Sequence, residues 1–321
     1  MNHSSILITG ALGCIGAWTV RQLVRAGAAV SVLDLSDDAQ RMRLIMTDDE
    51  IERIRFLHGD ITDPAAVEAA FSASAATQVI HLAALQIPAC KANPVLGARV
   101  NVVGAVNIFE AARKAGIRHV VYASSIAVYG PAEEYPPGPV SDDAPLCPRT
   151  LYGVFKQADE GIANVYWHDH GISSIALRPY VVYGAGRDQG MTSSPTKAML
   201  AAAAGQPYHI AYGGRCDMQY AADVAAALIQ AMQTPGQGAA VYNLRGSVVR
   251  MAEVVAAIEA AAPALRGQIT YDQQSLPYPE EWDDRAVQAA LGPLPVTPLR
   301  EGVAETIELF GAALASGRLS L

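Results

Sequence analysis

Cysteine is scarce and scattered in this chain, basic charge is in deficit, and no long apolar run stands out. The four cysteines, Cys14, Cys90, Cys147 and Cys216, lie far apart without metal-ligand spacing, which excludes a disulfide scaffold and points to free thiols in a reducing cytosol. Lysine and arginine total 23 against 31 acidic residues, giving a formal net charge of -8 and a pI near 5.4. No block of like charge forms a basic tail, so long-range attraction to nucleic acid or an anionic membrane is not expected. No apolar stretch approaches the roughly 20 residues of a membrane span. Alanine-rich stretches such as 199–204 are too short, and no charged leader with an apolar run precedes the first candidate strand. A cytoplasmic location is the expectation.

What is present is enough apolar residue, 51% of 321, to bury a sizeable core in one large or two modest domains. Short β-branched runs at 6–8, 29–33, 54–57, 79–82, 119–123 and 174–177 alternate with helical patterns at 16–26, 64–73, 96–115 and 151–170. This alternation predicts a parallel sheet covered by helices on both faces, an α/β doubly wound sheet in the Rossmann order. Beyond residue 178 proline, glycine and tyrosine recur, and helical patterns near 195–204, 223–232 and 251–261 are spaced by loops. Asp223 at the head of one of these patterns reads as a helix cap. The expected division is therefore a dinucleotide-binding domain over 1–178 and a smaller α/β substrate lobe over 179–321, with some of its segments returning to the sheet. The proline-rich stretch 131–148 reads as a long loop, and long loops in compact domains tend to be functional.

Glycines 10, 13 and 16 follow the first strand and open a helix in Thr9-Gly10-Ala11-Leu12-Gly13-Cys14-Ile15-Gly16. Such a turn lets backbone approach a pyrophosphate and turns helix N-terminal amides toward the anion. Asp34 ends the second strand about 20 residues on, where a carboxylate accepts both hydroxyls of an adenosine ribose and repels a 2′-phosphate. That favours NAD over NADP. Asp60-Ile61 after the third strand either holds the adenine edge or begins an ordinary helix; the sequence supports both.

Tyr152 and Lys156 stand four apart in a helical pattern, so they share a face, and Ser125 ends a preceding strand, where a parallel sheet puts its chemistry. The chain has only four lysines, Lys91, Lys114, Lys156 and Lys197. A phenol ordinarily titrates near 10, and making it a base at neutral pH takes about 4 kcal/mol of preferential stabilisation of phenolate. Lys156 and an oxidised nicotinamide are sources of that stabilisation. Ser125 would hydrogen-bond the reacting oxygen, Tyr152 would take its proton, and Lys156 would also hold the nicotinamide ribose. His168 and His170 end a helix without a third ligand type, and no metal is expected.

These motifs, with Asp60-Ile61-Thr62-Asp63, His81-Leu82-Ala83-Ala84, Asn101, Ser124 to Gly130, and Leu177-Arg178-Pro179 through Tyr183-Gly184, resemble the extended short-chain dehydrogenase/reductases, the NAD-dependent epimerase/dehydratases. The resemblance runs from Ile6 to at least Asp223. It implies that Gly10, Leu12, Gly13, Cys14, Ile15, Gly16, Asp34, Asp60, Ile61, Leu82, Ala83, Ala84, Asn101, Tyr152, Lys156 and Pro179 face the cofactor NAD. It further implies that Ser125, rather than Ser124, is catalytic with Tyr152 and Lys156, and that a homodimer forms through the helices containing Asn101 and Tyr152.

The chain departs from the pattern of UDP-galactose 4-epimerases at three positions. Val181 stands where those enzymes carry an asparagine, and Cys216 where they carry an arginine aimed at a diphosphate; Tyr220 replaces a usual histidine. The substrate side is instead read as Gln86, Ser125, Ile126, Tyr152, Val181, Arg187, Thr192 and Ser193, closer to sugar-acid dehydrogenases. Arg187 either holds a substrate carboxylate or is a solvated loop arginine, and Thr192 and Ser193 either line the pocket or cap the helix that follows. The functional expectation is an NAD-dependent oxidoreductase acting on a secondary hydroxyl of a small sugar or sugar acid. An epimerase that retains its cofactor is the alternative, and a non-catalytic NAD-binding regulator is a third reading.

Overall fold

The computed structural model describes residues 5–234 and 236–320. Its strands are β1 Ser5–Thr9, β2 Ala29–Asp34, β3 Arg55–His58, β4 Gln78–His81, β5 His119–Ala123, β6 Ser173–Arg178, β7 Val181–Tyr183, β8 Tyr208–Ile210, β9 Arg215–Tyr220, β10 Ala239–Asn243, β11 Ser247–Arg250 and β12 Ile269–Tyr271. Seven of them form one sheet in the order β10-β6-β5-β4-β1-β2-β3, and every pairing in it is parallel. Alternate residues feed opposite layers. Ile6 and Ile8 pack with Trp18, Val224 and Leu228 beneath helices Cys14–Arg25 and Ala221–Gln233. Leu7 packs with Phe71, Ile108, Phe109 and Tyr166 beneath the helices on the other face. Coverage on both sides is why the strands read as nearly continuous apolar runs.

The chain beyond 179 supplies the edge strand β10 and the covering helix Ala221–Gln233 as well as a separate three-stranded sheet, β11-β9-β7, and the pair β12-β8. Asp223 does not cap that helix. Its carboxylate accepts from Thr297 N at 2.6 Å and Thr297 Oγ1 at 2.8 Å, tying the C-terminal segment to the helix.

The structure overturns one further expectation. The helical pattern at 96–115 is one continuous helix, Pro94–Lys114, interrupted by a π turn at Arg99–Val103. With 21 residues and a mean hydropathy of 1.3, it is long and apolar enough to cross a membrane, contrary to the expectation that no such stretch exists. In this fold 44% of that apolar segment is buried, because the helix packs on the sheet and on helix Leu151–His170. The stretch 131–148 is a long loop, as its prolines suggest, and it is strapped down: Val140 bridges to Trp282 and Tyr135 Oη donates to Pro145 O at 2.8 Å.

A buried polar network pins this loop and the end of β6 to helix Leu151–His170. Arg178 reaches both oxygens of Glu160, Nε to Oε1 at 2.8 Å and Nη2 to Oε2 at 2.7 Å, a bidentate geometry. Its Nη1 donates to Asp142 O at 3.1 Å and to Tyr129 Oη, and the guanidinium lies 5.0 Å from the Tyr129 ring centre. Ser124 Oγ completes the set by donating to Glu160 at 2.5 Å. Removing one partner of a buried ion pair strands the other charge. Arg178→Met is therefore expected to lower unfolding free energy by about 3–5 kcal/mol, read as an earlier urea midpoint; an unchanged midpoint would mean the network does not support the fold.

Candidate active site

At the carboxyl ends of the strands, where β1 is flanked by β2 and β4 and the chain order reverses, lies a cleft of about 600 Å³. Its floor is the turn after β1. Gly10 has φ +67°, and a Cβ there would overlap the backbone of Ala83; only glycine lets this turn press against the segment after β4. Gly13 caps helix Cys14–Arg25 without a side-chain bond, leaving N-terminal amides directed at the cleft. Asp34 accepts from Leu12 N at 3.0 Å and Ser36 N at 3.2 Å, so the glycine turn and the end of β2 are fixed to each other. Asp60 also lines the cleft while accepting from Thr62 N at 2.8 Å, and Asp63 caps the next helix. Behind Leu82, His81 Nδ1 is 2.6 Å from Thr9 Oγ1, and burial followed by the nearby Lys156 ammonium pushes its pKa down to about 3. It is a neutral packed ring.

The other end of the cleft brings Ser125, Tyr152 and Lys156 together. Ser125 leaves β5 and its Oγ accepts from Ala127 N at 3.1 Å, starting the short turn Ile126–Val128. Thr150 caps helix Leu151–His170 by accepting from Gly153 N at 3.0 Å. A Cβ on Gly153 would overlap Ala127 O, so glycine is what lets this helix seat Tyr152 beside the serine turn. Lys156 follows one helical turn later and is buried, with Nζ donating to Ala123 O at 2.8 Å and Asp159 Oδ2 at 3.3 Å. Burial opposes its charge, but Asp159, Tyr152 and Glu160 outweigh that and hold the ammonium above the ordinary lysine range. Ser124 also borders the cleft, yet its hydroxyl is engaged by Glu160.

Gln86, Ile126, Arg187 and Thr192, expected to face substrate, and Pro179, expected to face the cofactor, all line the cleft. Arg187 Nη2 donates to Thr192 Oγ1 at 3.1 Å, while its Nε is buried without a partner. Three expected site residues lie elsewhere. Asn101 is buried with its carboxamide committed to Leu85, donating to the carbonyl at 2.9 Å and accepting from the amide at 2.7 Å; it shapes the segment after β4 from behind. Val181 is fully buried, because the extended backbone entering β7 turns Tyr180 and Val182 toward the cleft and Val181 away. Ser193 is buried with Oγ on Gly190 O at 2.7 Å, so it serves the turn rather than the cleft or a helix cap.

Other cleft residues escaped the sequence reading. Tyr180 was legible from that same alternation. Tyr278, a T-shaped neighbour of Tyr180 at 6.2 Å, arrives from a distant segment that carries no motif. Arg41 donates to Leu12 O at 3.0 Å and grips Asp188 at 2.9–3.2 Å from across the cleft mouth, a pairing 147 residues apart that local patterning does not carry.

The NAD dependent epimerase/dehydratase family model matches residues 6–244. The chain belongs to this family. It is 30% identical over 319 residues to a UDP-glucose 4-epimerase of Mycolicibacterium smegmatis, covering 95% of this chain and 97% of that one. Among solved structures it is similar to the UDP-glucose 4-epimerase of Thermus thermophilus in complex with NAD (TM-score 0.81, 27% identity, 96% of this chain and 99% of that one). It is also similar to a partial consensus L-threonine 3-dehydrogenase (TM-score 0.84, 26% identity, 96% and 99%).

The family's cofactor is NAD, and the residues present fit it: a glycine turn that a Cβ would fill, helix amides at the turn, and a carboxylate at the end of β2. Asp34→Ala is accordingly expected to weaken NAD binding about tenfold, the loss of a charged hydrogen-bond acceptor, with NADP affected far less. Calorimetric titration of both cofactors checks this, and an unchanged NAD to NADP ratio would remove Asp34 from the ribose site.

Proposed function

We propose that this family member is an NAD-dependent dehydrogenase acting on a secondary hydroxyl of a small sugar-acid-like substrate. The observation that carries the reading is the polar inventory of the cleft beyond Ser125 and Tyr152: Arg187 with Gln86 and Thr192, and two tyrosines, Tyr180 and Tyr278. The two positions where a nucleotide-sugar anchor would be sought, Val181 and Cys216, are both fully buried and off the cleft. Arg41, the other cleft guanidinium, is already paired with Asp188, whereas Arg187 has no carboxylate partner among the described residues. An unpaired planar fork suits a substrate carboxylate.

In this reading Ser125 Oγ donates to the reacting oxygen, and Tyr152 Oη accepts the hydroxyl proton. Lys156, buried and charged, stabilises the phenolate in a low-dielectric setting where its field is strong. Bound NAD supplies the electron acceptor. Arg187 and Gln86 hold the far end of the substrate so that the hydroxyl meets Ser125 and Tyr152.

Stoichiometric NADH formation at 340 nm with an aldonate or uronate, and none with UDP-sugars, is the expected result. Tyr152→Phe should lower kcat by about 100-fold or more while leaving NAD affinity nearly unchanged; a fully active mutant would show that the base is wrong. Arg187→Ala should raise KM for acid substrates about tenfold or more and spare neutral ones. A second reading, epimerisation with retained cofactor, is favoured by the end-to-end similarity to a UDP-glucose 4-epimerase. It predicts no net NADH and a new sugar stereoisomer by NMR.

We further propose a homodimer. Val95, Leu96 and Val103 on helix Pro94–Lys114 and Leu151, Val154 and Val165 on helix Leu151–His170 are exposed, and these neighbouring helices together present an apolar face that a second copy would cover. Val95→Glu with Val165→Glu should convert a dimer to a monomer by light scattering; a monomeric parent protein would end the proposal.

A further inference from the structure

Helix Leu151–His170 carries two adjacent buried acids, and they are used differently. Glu160 has all its oxygens engaged by Arg178 and Ser124. Asp159, only 1% exposed, makes a single hydrogen bond, to Lys156, and its Oδ1 is buried without any partner. A carboxylate that stabilised the fold would have both oxygens satisfied, since an unpartnered buried acceptor is costly. Its one hydrogen bond is with the ammonium that follows Tyr152 on the helix.

We propose that Asp159 is a positioning residue for the reaction, keeping Lys156 protonated and directing its third N–H into the cleft. The inference rests on reading Tyr152 and Lys156 as the acid–base pair. An ammonium has three donors. Ala123 O and Asp159 Oδ2 fix two of them from within the protein, which leaves the third for the cleft that Lys156 lines.

The charge argument has the same direction. The titratable groups around Lys156 are Tyr152, Asp159 and Glu160 on its own helix, His81 at the end of β4, and Cys90 from the helix Ile87–Ala92. Tyr122 on β5 and Arg178 on β6 lie behind the two acids. His81 is neutral and Cys90 is held as a thiol by burial. Burial works against the ammonium, and Asp159 is the largest influence opposing it. Burial also raises Asp159 itself, to about 6, so it is ionised at neutral pH and above. Without that carboxylate the lysine loses its proton at lower pH, Tyr152 loses its positive neighbour, and the phenolate becomes harder to form. The limb of kcat for oxidation then moves to higher pH.

The test uses Asp159→Asn, which keeps shape and an acceptor while removing charge. With only four lysines in the chain, NMR of protein labelled with ¹³C at the lysine Cε resolves the Lys156 signal, assigned by its loss in Lys156→Arg. The expected result is a titration midpoint lower by about one pH unit or more in Asp159→Asn, with kcat near neutrality reduced about tenfold or more and its pH limb displaced upward. A midpoint and pH profile identical to the parent protein, with only a lower melting temperature, would make Asp159 structural and overturn the proposal, as would a limb displaced downward. Asp159→Ala provides the same readouts should the asparagine variant fail to fold. Because the NMR midpoint requires no turnover, an active Tyr152→Phe would refute the assigned chemistry without touching the Lys156–Asp159 result.

Discussion

Holding a lysine charge under a cleft at the edge of an apolar sheet is the constraint that organises the rest of this structure. An ammonium with 4% exposure survives only with carbonyl and carboxylate partners close by. The chain provides them from two elements, the end of β5 and the next turn of helix Leu151–His170. Bringing those elements together requires a close approach, made possible by Gly153 against Ala127, and a clamp, supplied by Glu160 and Arg178 across to β6. The same clamp occupies Ser124, leaving Ser125 as the cleft serine with its hydroxyl free of buried acids.

The cofactor end is built on a different plan. Its parts are backbone: a left-handed glycine, helix amides without a side-chain cap, and a turn tied to β2 through Asp34. Backbone groups recognise a pyrophosphate through charge and spacing, so this end is shared across the family whatever the substrate. The rest of the cleft is lined by the loop after β7 and by Tyr278, both beyond the glycine turn and helix Leu151–His170. Relatives named as UDP-glucose 4-epimerases and an L-threonine 3-dehydrogenase are similar to this chain over nearly its whole length, so one frame serves enzymes of different names.

The parallel sheet was legible from residue order, because buried strands must be apolar runs and covering helices must be amphipathic. The glycine turn, Asp34, Ser125, Tyr152 and Lys156 were legible as residues that meet in one cleft, since each stands at short, fixed spacing at a strand end or on the helix that follows. What lies between such units emerged only on folding. Asn101 was a reasonable cofactor contact until its carboxamide proved to be committed to Leu85, and Val181 and Ser193 were reasonable pocket residues until strand alternation and a local turn faced them inward. Tyr278, the Arg41–Asp188 pair and the solitary hydrogen bond of Asp159 depend on which distant surfaces meet and which atoms lose water. Local spacing carries no information about that, because burial is a property of the assembled layers rather than of any one of them.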